Sequence, residues 1–184
     1  MKIENEVIEY KKVNLIAGDS GTGKTTILKE AIKDLKVCEF NYQNMVEELS
    51  TTNPKALASL GEFYRLIHGQ DFDETKLLEN GCINIAVLSK DELRCAALSM
   101  FLCLYTGSLF HNRCLVFDEP ELPFNSLKML SFFDILREVH LNSHMRIFFV
   151  LSDTGNSHLF RKKFMFLGDD FKLVDTNNKP TNQQ

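Results

Sequence analysis

Residues 13–25 read Val13-Asn14-Leu15-Ile16-Ala17-Gly18-Asp19-Ser20-Gly21-Thr22-Gly23-Lys24-Thr25, and this stretch decides the fold. The first five residues are a short apolar run between Lys11-Lys12 and a glycine-rich segment, the pattern of a buried parallel strand. The last eight fit G-x-x-x-x-G-K-[ST] at every fixed position. Beyond them Ile27, Leu28, Ala31, Ile32 and Leu35 recur at helical spacing. Strand, glycine loop and helix in that order are the setting in which this motif cradles phosphate. Glycine admits positive φ, so successive N–H groups turn inward as an anion nest. The helix that follows aims its positive end at the same point. Lys24 is then expected to neutralise the β- and γ-phosphates of a nucleotide, and the Thr25 hydroxyl to ligate Mg2+.

Working outward, residues 37–41 read as a second strand, and residues 43–80 as less regular helix. Ala56, Leu57, Leu60, Phe63 and Ile67 form one apolar stripe there, with Pro54 in a first helical turn and Asn53 as its cap. Residues 83–88 are a third strand candidate. Residues 89–105 read as a long buried helix whose start, Ser89-x-x-Glu92, matches a capping box. Residues 114–117 and 147–151 are two more buried strands, with an amphipathic helix at 126–141 between them. Residues 163–167 and 171–174 flank Gly168-Asp169-Asp170 and read as a closing hairpin. Residues 175–184 hold no large apolar side chain and read as a disordered tail. Strands alternating with helices define an α/β fold with a mainly parallel sheet flanked by helices. One domain, residues 1–174, is expected, with residues 44–82 as a small helical subdomain.

The run ending at Phe117 is closed by Asp118-Glu119-Pro120. A buried strand carries such acids to the C-terminal edge of the sheet, where the phosphate loop also lies. Asp118 is expected to hold Mg2+, directly or through water, and Glu119 to orient and polarise an attacking water.

Composition narrows the class without naming it. The chain has 184 residues, 44% hydrophobic and 25% charged, with a net charge of −4. That suits one globular domain and no general affinity for nucleic acid, a local patch such as Arg161-Lys162-Lys163 aside. The five cysteines form no CxxC pair, so zinc-ribbon and thioredoxin classes are excluded and buried thiols in a reducing cytoplasm are expected. The start has no apolar signal region, and the longest apolar stretch, residues 95–105, is too short to span a bilayer, so no membrane role is expected.

With both motifs in place the sequence resembles the ABC-type P-loop ATPase superfamily, most of all its soluble SMC-like, RecF-like and OLD-like branch. Asp118-Glu119-Pro120-Glu121-Leu122 matches the DEPEL form of that branch, and Leu88-Ser89-Lys90-Asp91-Glu92 looks like a degenerate signature, usually LSGGQ or LSSGE. Gln43 is similar in position to the Q-loop glutamine, and residues 164–174 resemble the closing hairpin. The resemblance implies ATP and Mg2+ as ligands. It implies nucleotide contacts from Gly18, Ser20, Gly21, Thr22, Gly23, Lys24, Thr25, Thr26, Gln43 and Ser89, metal contacts from Thr25 and Asp118, and catalysis by Glu119 with Lys24 and Asp118. It also implies a head-to-tail homodimer around two ATP molecules, in which Ser89 and its helix N-terminus meet the γ-phosphate held by the other copy. Ser89 also serves as the cap of its own helix.

Three departures temper that picture. Lys90 and Asp91 replace the signature glycines, and Asp91 would repel phosphate unless it points away. No histidine follows residues 147–151 at the switch position; Ser152, Asp153 and, further on, His158 are the substitutes. Few residues precede the first strand, so the head is minimal. Slow or partner-dependent hydrolysis is therefore expected, with an effector protein supplying the output, in DNA repair, anti-phage defence or phage biology. The competing readings are a non-hydrolysing nucleotide-dependent module and a small-substrate P-loop kinase. Tyr10 is placed either on adenine or in the core. Phe132, Phe133, Phe160, Phe164 and Phe166 are read as core ahead of docking surface.

Overall fold

A computed structural model describes residues 9–53, 58–106, 113–120, 125–152 and 154–177. Its centre is a sheet of five parallel strands: β1 (Val13–Ala17), β2 (Val37–Glu39), β3 (Cys114–Asp118), β4 (Arg146–Leu151) and β5 (Phe171–Asp175), in the order β2-β3-β4-β1-β5. The α/β architecture with a parallel sheet flanked by helices is the one expected. In β1, β3 and β4 alternate residues enter opposite layers, as the period of a strand dictates. Leu15, Phe117 and Phe149 face the larger core, and Ile16, Val116 and Phe148 face the smaller one. Because both faces are covered, the interiors of these strands are apolar and show no polar alternation, with Arg146 and Asp118 at strand ends. Asn14 is the exception, a buried amide satisfied by the Lys11 backbone on both its donor and acceptor atoms.

Among the described residues six α-helices connect the strands: α1 (Lys24–Ile32), α2 (Tyr42–Thr51), α3 (Ala58–His68), α4 (Lys90–Tyr105), α5 (Ser126–Ser143) and α6 (Thr154–Phe164). α1 covers the smaller layer through Leu28. α4 is buried along most of its length, from Arg94 to Leu102, with α2 and α3 packed against it. A ring cluster ties α5 and α6 to the sheet: Phe117 stacks on Phe149 at 4.9 Å, and Phe133, Phe149 and Phe160 meet within 4.8–5.7 Å. Phe132, Phe133, Phe160 and Phe164 are therefore core, as expected. Phe166 is not; it is 59% exposed, with the Arg137 guanidinium over its ring.

The register fixes the heights of the strand ends. Ala17 of β1 pairs with Leu151 of β4, and Asp118 of β3 pairs with Val150 of β4.

Three expectations are corrected. The closing hairpin does not form. Lys163 and Phe164 end α6, Met165–Asp170 is 3-10 helix, and β5 runs parallel to β1. Phe160 and Phe164, four apart and stacked at 4.3 Å, are a helical pair, and that periodicity prevails over the short apolar run beyond it. Gly168 does turn the chain, at φ 55°, but from a 3-10 turn into a parallel strand. The third strand candidate also fails. Only Ile83 bridges, antiparallel to Leu77, and Ile85–Val87 is 3-10 helix begun by the Asn84 side chain. Residues 175–177, read as the start of a disordered tail, are ordered: Asp175 closes β5, and Thr176 and Asn177 bond to the loop after β1, while residues 178–184 lie outside the described residues. Pro54, Ala56, Leu57, Glu121, Leu122 and Asp153 lie outside the described residues.

Candidate phosphate-binding site

β1 delivers the chain into a loop that turns on Gly21 and Gly23, both at positive φ (81° and 89°). Gly23 serves as N-cap of α1 in the left-handed conformation, a geometry that a side chain would strain. α2, α4 and α5 each open on a side-chain cap, from Asn41, Ser89 and Asn125, whereas α1 has none and no acid in its first turn. The first N–H groups of α1 are thus free of side-chain acceptors, and its dipole favours an anion there.

Lys24 lies inside this loop, 5% exposed, a burial that an ammonium tolerates only with partners. Its Nζ donates to the Asp19 carbonyl at 2.8 Å and lies 3.2 Å from Glu119 Oε1. Glu119 follows β3 at φ 47°, an uncommon conformation for a non-glycine residue, with its N–H donating to Val150 O at 3.1 Å. Strain of this kind is typical of functional sites. Asp118, the last residue of β3, has its Oδ1 buried and without a hydrogen-bond partner. A buried carboxylate oxygen with no donor is costly in isolation and fits a cation ligand. Thr25 presents an exposed side chain from the first turn of α1, and Thr26 is exposed beside it. Ser20 is exposed in the loop, and Thr22 donates its hydroxyl to the Asp19 carbonyl at 2.9 Å.

The other expected residues are more scattered. Gln43 is exposed in the first turn of α2 and makes no hydrogen bond to the loop among the described residues. Ser89 is exposed and closes a full capping box: its Oγ accepts from Glu92 N at 3.2 Å, and its own N–H donates to Glu92 Oε2 at 2.8 Å. Partial burial raises the Glu92 carboxyl, but hydrogen bonds from Lys76 and from the Ser89 backbone and hydroxyl prevail and hold it at about 2. Asp91 is turned to α5, where the Lys128 ammonium pairs with it, so its charge is engaged away from the start of α4. Ser152 and His158 line a polar cavity of about 210 Å³ beside Gly18, shared with Arg161 and Asn177. Tyr10 packs its ring against Phe148, which makes it core.

Sequence reasoning missed Thr176 and Asn177. Thr176 is buried, its N–H donates to Ala17 O at 2.8 Å, and its Oγ1 lies 2.5 Å from Thr22 Oγ1. Asn177 Oδ1 accepts the Asp19 N–H at 2.9 Å. A second cavity, about 550 Å³ between α3 and α5, contains none of the expected site residues.

No protein-family model and no curated protein matches the chain. Among solved structures it is similar to MJ0796, a bacterial ABC transporter cassette with a dimeric structure, at a TM-score of 0.51 and 12% identity over 90% of this chain and 82% of that one. At that identity the likeness is one of fold alone: the chain's parallel sheet flanked by helices resembles the architecture of that cassette. Among the described residues no helix is long and apolar enough to cross a membrane.

Proposed function

We propose that the chain is an ATP-binding and ATP-hydrolysing switch of the ABC type, which dimerises around ATP and acts through a protein partner. One observation carries this reading. The fold brings Lys24 to 3.2 Å from Glu119 and leaves Asp118, the residue before it, with a buried and unpartnered oxygen. Residues remote in sequence thus supply in one place a cation for phosphate, a carboxylate for water and an acceptor for metal. The sequence Asp118-Glu119-Pro120-Glu121-Leu122 supports the soluble SMC-like, RecF-like or OLD-like side of the superfamily.

In this reading the N–H groups of Gly21, Gly23, Lys24 and Thr25 and the Lys24 ammonium bind the phosphates. Asp118 and Thr25 would hold Mg2+, which when bound supplies positive charge to the phosphate oxygens. Lys24 has three donors; one is given to the Asp19 carbonyl and the ammonium is paired by charge with Glu119, which leaves donors for phosphate. Glu119 then accepts the proton of an attacking water as its oxygen approaches the terminal phosphorus, and the ADP oxygen leaves. Ser89 and the start of α4, capped and exposed, are the surface that a second copy would present to the nucleotide.

The test is a phosphate-release assay with Mg2+ and ATP. Release that is abolished in Lys24→Ala supports the reading, while the absence of both binding and release in the folded wild-type chain would overturn it. Ser152, exposed where the superfamily carries its switch histidine, favours a second reading, nucleotide binding without turnover. Tight ATP binding with no phosphate release, with or without a second protein, distinguishes it.

A further inference from the structure

We infer that Thr176 and Asn177 are positioning residues for the phosphate loop, acting through Asp19 and Thr22 and presenting Lys24 to nucleotide; the inference rests on the nucleotide reading above. These two residues follow β5 and lie directly on the loop after β1. A Cβ built on Gly18 would stand 2.0 Å from Thr176 Oγ1, so only glycine lets the segment approach this closely. Thr176 is 4% exposed outside the apolar core, a burial that a hydroxyl tolerates only when bonded. Its bonds go to the loop: its N–H donates to the Ala17 carbonyl at 2.8 Å, and its one hydroxyl proton has two acceptors, the Ala17 carbonyl at 3.1 Å and Thr22 Oγ1, whose own proton goes to the Asp19 carbonyl. Asn177 is oriented in turn by its own N–H, which donates to Asp175 Oδ1 at 3.0 Å.

Asp19 is where these contacts converge. Its N–H is held by Asn177 Oδ1, and its carbonyl accepts from Lys24 Nζ and Thr22 Oγ1. The N–H and the carbonyl belong to the two peptide planes that flank one Cα. Holding both planes fixes φ and ψ of Asp19 together. The Asp19 carbonyl is the hydrogen-bond acceptor that keeps Lys24 inside the loop, so whatever fixes Asp19 also fixes where the ammonium waits.

The physical need for such a clamp follows from composition. A loop with glycines at positions 18, 21 and 23 has more conformational freedom to lose than one of the same length without them. If that ordering were left to the nucleotide, it would be subtracted from affinity; a loop ordered beforehand binds more tightly. Thr176 and Asn177 order it from outside, without belonging to the motif that contacts phosphate. They are positioning residues and not catalytic ones.

The experiment compares the full chain with its Thr176→Val, Thr176→Ser and Asn177→Ala variants by titration with a fluorescent ATP analogue and Mg2+. In parallel, hydrogen exchange is read at the Asp19 amide without nucleotide. Thr176→Val and Asn177→Ala are expected to bind about fivefold to tenfold more weakly, the loss of one or two hydrogen bonds. Thr176→Ser, which keeps the hydroxyl, is expected to bind as the wild type does. Asn177 is exposed, so its variant should keep the wild-type melting temperature while its Asp19 amide exchanges faster. Should Thr176→Val fail to fold, Asn177→Ala carries the test alone. Wild-type affinity and wild-type Asp19 exchange in Asn177→Ala would overturn the inference and leave the nucleotide reading standing. A folded wild-type chain that binds no nucleotide would overturn both.

Discussion

Lys24 Nζ and Glu119 Oε1 lie 3.2 Å apart although a whole strand, β4, separates the two strands that lead to them. The pair joins a nearly buried ammonium to a carboxylate that is half exposed. A phosphate arriving in the loop must compete with that carboxylate for the same cation. Glu119→Gln removes the competing charge and, with it, the acceptor for a proton from water. Nucleotide affinity is expected to rise a few-fold while phosphate release falls by at least about a hundredfold. Equilibrium titration and a phosphate-release assay on one preparation measure the two effects.

Asp118→Asn keeps the size of the side chain and lowers its value as a cation ligand. Its buried Oδ1 accepts no hydrogen bond in the wild type, so the substitution disturbs little else on the protein side. The expected result is a loss of the Mg2+-dependent part of nucleotide affinity, with affinity in EDTA unchanged. Titrations with and without Mg2+ make the comparison.

The Asp91–Lys128 pair bridges α4 and α5, with Lys128 13% and Asp91 34% exposed. Lys128→Met leaves the carboxylate without its cation and should cost about 1–3 kcal/mol. Asp91→Asn combined with Lys128→Met should recover part of that loss. Urea unfolding of the wild type, both single variants and the double variant closes the cycle.

The Glu92 carboxyl, held at about 2 against an ordinary 4.5, gives the start of α4 a defined acid sensitivity. A depressed acid contributes stability that is complete above its unfolded value and fades as pH falls through its folded value. The capping box should therefore weaken between about pH 4.5 and pH 2. Glu92→Gln should flatten that part of the stability curve, as read by thermal melts across the range.

Assembly offers a separate check on the proposed switch. Glu119→Gln with ATP and Mg2+ is expected to run as a dimer in size-exclusion chromatography with light scattering. Adding Ser89→Arg, which places a bulky cation at the exposed start of α4, should return it to monomer. A monomer in both cases would remove the sandwich from the proposal.

Much of the fold was legible because its signals are local. β1 spans the five residues read from the apolar run, and the capping box sits where Ser89 and Glu92 place it. Asp118 ends β3 and Glu119 follows it because an apolar run that ends in charge leaves the core there. What was not legible depends on pairing across the sheet. Thr176 and Asn177 look like any polar residues after a strand, and only the parallel pairing of β5 with β1 brings them to Gly18. The misread hairpin has the same origin. Four apolar residues, 164–167, are too few to separate a strand from a helix end, and the deciding contact, Phe160 on Phe164, is made by the turn before.

β4 carries none of the expected site residues, yet it serves as the common datum of the site. The ends of β1 and β3 are both levelled against its last two residues, Leu151 and Val150. A slip of one residue on either side would displace that loop by about 3.3 Å along the strand and turn its side chains to the opposite layer. The strand should therefore accept exchanges among β-formers of similar size and refuse an inserted residue, because what it transmits is a length and not a chemistry.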